Sequence, residues 1–304
     1  MSEAPQVVVV GAACRDLVDD DERGWRLGGG ASYSALALAR LGLKVGALVV
    51  ADELAATSRE LNTIRDAGVD VRVVPGSRGP IFINIETPDG RVQQTPQVSD
   101  AVDPRALPPE WRDVGAWVFG PVAAEIRDEW AEVPRPDALV ALGWQGLLRV
   151  LRDGAPVRHL APGPSPVVRR ADLIGVGSDD VDHSITPVHL AGFMHPGATL
   201  LSTQGVRGGT AYRVGDHPED LEARHWRSIA IEHYVDPVGA GDTFLAAVFA
   251  AWVVPDITAG WDGPDPDLRL GAACGSLILE GPGVFGVPYL ADALLRMHGA
   301  DNPD

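Results

Sequence analysis

The sequence predicts an α/β fold: a doubly wound sheet flanked by helices, carrying a small β-sheet lid. Three observations predict it. Apolar, β-branched runs without polar alternation suit strands covered on both faces, helical-period segments follow them, and a stretch of alternating, hairpin-like texture interrupts the repeat between residues 79 and 97.

The run Gln6 to Ala13 (QVVVVGAA) is the first such strand. After Gly28 to Gly30, the segment ASYSALALARLG places Ala31, Ala35, Leu38 and Leu41 at helical spacing and stops at Gly42. The unit then repeats, with a strand over Leu43 to Ala51, a helix over Glu53 to Gly68 with Asp52 as N-cap, and a strand over Val69 to Pro75. Pro80 to Thr95 reads as two short strands joined by the hairpin signal Thr-Pro-Asp-Gly, and Cys14 to Gly29 is expected to pair with it. Further strands are expected at Gly115 to Pro121, Asp137 to Gly143, Ala171 to Gly177 and Ala198 to Gly205. The expected division is 1–13, 30–78 and 98–304 for a main α/β domain, and 14–29 and 79–97 for the lid. Ala300 to Asp304 is a polar tail expected to fray. In doubly wound sheets ligands lie beyond the C-terminal strand ends, so chemistry is sought in those loops.

The formal net charge of -17 and a single lysine, Lys44, argue against nucleic acid or anionic lipid as partners, because phosphate backbones and headgroups need a basic face. The N-terminal apolar stretch is too short to span a membrane and has an acidic flank, and nothing else approaches a span. Cys14 and Cys274 sit in apolar runs and read as buried hydrophobes, which fits a reducing cytoplasm. His183, His189 and His195 recur at a spacing that suits neither one helix face nor zinc. The tryptophans, among them Trp111, Trp117, Trp130 and Trp144, read as core rather than as a carbohydrate platform.

The segment Asp236 to Phe244 (DPVGAGDTF) runs from a glycine-rich loop straight into an apolar helix. Gly239 and Gly241 allow close backbone approach, and a helix start adds the positive end of its dipole, so the pattern describes an anion cradle. Phosphoryl transfer needs such oriented donors, here the amides of Ala240, Gly241 and Asp242. Asp242 stands where a base would take the proton of an attacking hydroxyl, and equally where an N-capping aspartate would stand.

The pattern D-x-x-G-A-G-D followed by Thr243-Phe244 resembles the signature of the ribokinase/PfkB family of carbohydrate kinases, and the resemblance extends over nearly the whole chain. It implies a ribokinase-like fold and an alcohol-group phosphotransferase using ATP and Mg²⁺, with Asp242 as base. Gly11 to Val18 looks like the family's strand that ends in a sugar-binding aspartate, implying that role for Asp16, which is also readable as a solvated turn residue. Gly28 to Gly42 resembles the N-terminal signature whose paired glycines, here Gly28 and Gly29, touch the acceptor. Ser202 to Gly209 is similar to the nucleotide-side T-x-G-x-x-G element, implying Thr203, Gly205 and Gly208 near the phosphates and ribose. Gly281 to Pro288 looks like the loop that closes over adenine, implying Gly281 and Gly283. A K⁺ site near these loops is common in the family, and Asp236 would be its side-chain contributor.

Two positions depart from the pattern. Tyr33 stands where sugar kinases carry an asparagine, exchanging an amide for an aromatic face on the substrate side, which makes a cyclitol or nucleoside more plausible than ribose or fructose. The family's N-x-x-E element is Gly177-Ser178-Asp179-Asp180 here, with Asp180 in the acidic place near Mg²⁺. Trp144 to Val157 resembles a Q-G-x-x-R stretch of myo-inositol kinase-like members, in which Arg149 would meet a phosphate or close a structural salt bridge. The expected function is therefore an ATP-dependent kinase of a small polyol, sugar or nucleoside, the alternative being a weakly catalytic sensor on the same fold. A homodimer through the lid edge is expected.

Overall fold

The computed structural model describes residues 4–87 and 90–299. The central residues of the expected hairpin turn, Pro88 and Asp89, and the polar tail from Ala300 lie outside the described residues.

In chain order, β1 (Val7–Ala12) runs almost directly into β2 (Cys14–Leu17) and β3 (Trp25–Gly28), followed by α1 (Gly30–Arg40), β4 (Val45–Val50), α2 (Glu53–Ala56), α3 (Arg59–Asp66) and β5 (Asp70–Val73). The interrupting segment forms β6 (Ile81–Thr87) and β7 (Gly90–Gln97). Then come β8 (Ala116–Gly120), β9 (Leu139–Gly143), β10 (Arg149–Val150), β11 (Ala155–Pro156), β12 (Arg158–His159), α4 (Pro166–Arg170), β13 (Leu173–Gly177), α5 (Pro187–Ala191) and β14 (Thr199–Thr203). The chain closes with β15 (Gly209–Val214), β16 (Leu221–Trp226), α6 (Ala240–Val253), α7 (Pro266–Leu277) and α8 (Leu290–Gly299).

The large sheet has nine strands in the order β16-β15-β14-β13-β9-β8-β1-β4-β5. From β5 to β14 the pairings are parallel, while β15 and β16 add an antiparallel edge. Alternate residues of β1 enter different cores, Val7 and Val9 on the side of α1, α6, α7 and α8, and Val8, Val10 and Ala12 on the other. That double burial is why its sequence shows no alternation. The second face is covered largely by short 3₁₀ turns, and the fully buried indoles of Trp111, Trp117, Trp130 and Trp144 fill the space that longer helices would occupy. The Nε1–H groups of Trp117 and Trp130 donate to the carbonyls of Val114 and Val102. Both cysteines are buried and free.

The helix expected over Glu53 to Gly68 is two. Asp52 caps α2 through the Ala55 N–H (2.9 Å), as expected, but Ser58 caps a second helix through the Leu61 N–H (3.1 Å). Thr57 and Ser58 offer side-chain oxygens to local backbone and so favour a fresh start over helix continuation. The smaller sheet, in the order β11-β7-β6-β2-β3, draws on residues 14–28 and 81–97 and also on β11, from a segment expected to belong wholly to the main domain. The reason is an antiparallel pairing of Ala155 and Pro156 with Thr95 and Gln94. No helix among the described residues is long and apolar enough to cross a membrane.

Candidate active site

A cavity of about 320 Å³ opens beyond the C-terminal ends of β1, β8, β9, β13 and β14, roofed by the small sheet. It contains the start of α6. Gly239 takes the left-handed conformation (φ 81°), which residues with a Cβ adopt at a cost, and it turns the chain into the 14-residue helix. Helix geometry leaves the first-turn N–H groups without intrahelical acceptors. That of Ala240 is taken by the Pro237 carbonyl at 3.3 Å, so the open donors expected at three positions reduce to Gly241 and Asp242. No atom lies within 4 Å of a Cβ built on Gly241, and the residue lines the cavity.

The Asp242 carboxylate lies over the start of α1: a Cβ on Gly30 would come within 2.8 Å of Oδ1. Enclosure by the protein, and secondarily the negative charge of Asp180, raise its pKa to about 7, with the Arg149 guanidinium opposing them. A carboxylate poised there accepts a proton near neutral pH far better than an ordinary aspartate.

Asp16 reaches the cavity because β1 and β2 form one nearly continuous path from the large sheet into the small one. Cys14 and Asp16 share the buried face of β2. The Asp16 carboxylate occupies the space above Gly28, where a Cβ would meet Oδ2 at 2.2 Å, and Gly29 lines the cavity beside it. Gly28 thus acts by making room for Asp16 and is not itself on the wall.

Asp180 is buried at the other end. Its Oδ2 accepts the Gly177 N–H (3.0 Å), and its Oδ1 accepts the side-chain amide of Gln145 (2.8 Å). A Cβ on Gly177 would come within 2.9 Å of that Oδ2, so the glycine is what lets the carboxylate fold back onto the backbone. Gln145, from the turn after β9, brings an amide to the place where the resemblance leads one to expect an asparagine. Thr203 and Gly205 line the same end.

Other expected positions lie off the cavity wall. Gly208 (φ 82°) turns beneath β16, with the Trp226 carbonyl 2.2 Å from its Cβ position. Gly281 packs on Gly286, and Gly283 borders a separate recess of about 180 Å³ shared with Arg26, Arg59 and Glu60. Asp236 is buried between these turns. Tyr33 is on the wall but offers no open face: it is 1% exposed, its ring is pressed against Gly239, and its hydroxyl lies 3.6 Å from a Cβ position on Gly283. Among the described residues no group of three or more His, Cys, Asp or Glu could hold a metal ion.

Sequence reasoning missed the roof. Asn84 of β6 and Gln93 of β7 are a cross-strand pair on the cavity wall, with the Gln93 amide donating to the Asn84 carbonyl oxygen at 2.9 Å. The alternation of Phe82 and Asn84 along Ile81 to Ile85 was the available signal, since it puts both on one face.

No family model matches the sequence, and no curated protein matches it significantly. Solved structures do match. A sulfate complex of a pyrophosphate-dependent kinase in the ribokinase family superposes with a TM-score of 0.72 at 18% identity, covering 94% of this chain and 98% of that one. The fold is that of the ribokinases. A pyrophosphate-dependent kinase of that family complexed with a pyrophosphate analogue and myo-inositol gives a TM-score of 0.69 at 19% identity, over 94% and 98% of the two chains. A fructokinase with bound ATP from Xylella fastidiosa gives 0.70 at 16% identity, over 98% and 100%. In this chain the small sheet covers the C-terminal strand ends, where the cavity lies.

Proposed function

We propose that this chain is a kinase that transfers a phosphoryl group, with ATP as donor, to a hydroxyl of a small polyol or sugar-like acceptor. The observation that carries the proposal is Asp242, a carboxylate raised to about 7 in the same helical turn as the cavity-lining Gly241, on the wall of a cavity at the strand ends. Asp242 takes the proton of the acceptor hydroxyl as it attacks the terminal phosphorus in line. The amides of Gly241 and Asp242 and the positive end of α6 face the charge that spreads over the transferring group. Arg149, on the same wall, adds positive charge there.

The nucleotide's Mg²⁺ fits the Asp180 end. Asp180 and Asp242 both line this cavity, the charge of Asp180 being the second cause, after enclosure, of the upward shift of Asp242, and Mg²⁺ needs few direct protein ligands. Asp180, with Asp179 beside it on the wall, would hold the ion, which supplies neutralisation of phosphate charge. Gln145 keeps the Asp180 carboxylate oriented.

A cyclitol or sugar carries hydroxyls around its ring and needs partners on several sides. Asp16 supplies an acceptor, and the Asn84–Gln93 pair supplies amide donors and acceptors from the roof. The neighbour complexed with a pyrophosphate analogue and myo-inositol supports an acceptor of this class.

Pyrophosphate as donor is the second reading. Gly281 and Gly283, expected to close over adenine, do not border the cavity, and two of the neighbours are pyrophosphate-dependent.

The test offers ATP and pyrophosphate separately to the purified protein across a panel of inositols, sugars and nucleosides, and reads phosphorylated product. Product is expected, and Asp242→Asn should bind donor yet turn over at least about a hundredfold more slowly. Near wild-type turnover in Asp242→Asn overturns the assignment. Acceptor binding without any product would leave the sensor role.

A further inference from the structure

Asp236 is 8% exposed, and a buried carboxylate must be paired or lose its charge. Its Oδ1 accepts the Val238 N–H (2.9 Å), and its Oδ2 accepts the Gly283 N–H (3.1 Å). The Arg26 guanidinium, from β3 of the small sheet, lies 3.5 Å from that Oδ2. Asp20 fixes the other arm of the guanidinium at 2.7 Å.

The family resemblance implies a monovalent metal ion held by Asp236, but the residues present do not fit one. A metal ion at Oδ2 would stand against the guanidinium, cation against cation.

We infer that Arg26 is itself the fixed cation of this site, a positioning residue that neutralises Asp236 and so holds the Asp236–Gly239 turn in the shape that presents Gly241 and Asp242 to the cavity. A tethered guanidinium differs from a diffusible ion in two ways. Its presence does not depend on the concentration of free cation. It also belongs to β3, where Arg26 is the register partner of Asp16, so the acceptor end and the anion cradle are joined through one side chain.

The inference rests on the kinase reading only where turnover is measured, so thermal unfolding is the primary readout. Wild type, Arg26→Ala, Arg26→Gln and Asp236→Asn/Arg26→Ala are melted in potassium chloride and in choline chloride at equal ionic strength. Wild type should show the same Tm in both salts. Arg26→Ala and Arg26→Gln should melt lower and regain at least about 2 °C in potassium or in millimolar guanidinium, an amount that ligand linkage gives for a chain of this size. That recovery should vanish when Asp236 is also changed. A specific rise of the wild-type Tm in potassium overturns the inference, as does a cation response of the Arg26 variants no different from wild type. These outcomes are read whether or not any acceptor is phosphorylated. Where product forms, Arg26→Ala should lower kcat by at least about tenfold with little change in acceptor KM, and guanidinium should restore it.

Discussion

The ring of Tyr33 lies under Gly239 so closely that a Cβ on the glycine would come within 2.3 Å of the ring Cδ1. The aromatic residue therefore serves as the bed of the turn that opens α6, and Gly239 answers two demands, a left-handed backbone and the absence of a side chain.

Gly239→Ala is expected to cost about 1–2 kcal/mol from the backbone conformation alone, with ring displacement added. Chemical denaturation should show the loss. Replacing Tyr33 by leucine in that background should recover the steric part and leave the conformational part.

The raised pKa of Asp242 predicts a rate that climbs with pH and levels above about 7, because the ionised form is the base. Stability runs the opposite way. Between the ordinary aspartate value and about 7 the folded protein holds a proton that the unfolded chain has released, so folding weakens as pH rises through that window, by about 1.4 kcal/mol for each pH step of one crossed. Asp242→Asn should therefore melt higher than wild type at pH 8, and the gain should shrink towards pH 4. Equal wild-type and variant melting profiles across that range would show that the carboxylate is not held protonated.

Gln145→Leu leaves Asp180 Oδ1 without its amide partner, an unsatisfied buried acceptor costing about 1–3 kcal/mol. Donor KM should rise while acceptor KM is unchanged. A shift confined to acceptor KM would place Gln145 at the wrong end of the cavity.

Asn84→Leu and Gln93→Leu break the roof pair without touching the floor. Each should change the ratio of kcat/KM between two acceptors that differ in one hydroxyl by about tenfold or more. Donor binding, measured by calorimetry, should hold constant.

The fold was legible because its governing feature, burial of parallel strands on both faces, writes itself into consecutive valines such as Val7 to Val10. The glycine-rich turn running into α6 was legible because glycine's conformational freedom is carried by the residue type itself. What stayed hidden depends on register and side-chain reach. Asn84 and Gln93 become neighbours only once β6 and β7 pair, and Arg26 acquires meaning only when β3 brings it to Asp236. Gly281 and Gly283 look like ligand-loop glycines in sequence, yet one packs on Gly286 and the other donates to Asp236. The break between α2 and α3 turned on Ser58 capping in place of helix continuation.

The pairing of Ala155 and Pro156 with β7 ties the outer strand of the small sheet to the same stretch of chain that carries Gln145 and Arg149. The β6–β7 roof is thus moored on both sides, by β2 where the chain grows out of β1 and by this short edge strand opposite. A cover fastened that way resists swinging like a door. It flexes like a membrane pinned at two rims, so any sinking of its centre onto an acceptor pulls on the segment that steadies Asp180 at the far end of the cavity.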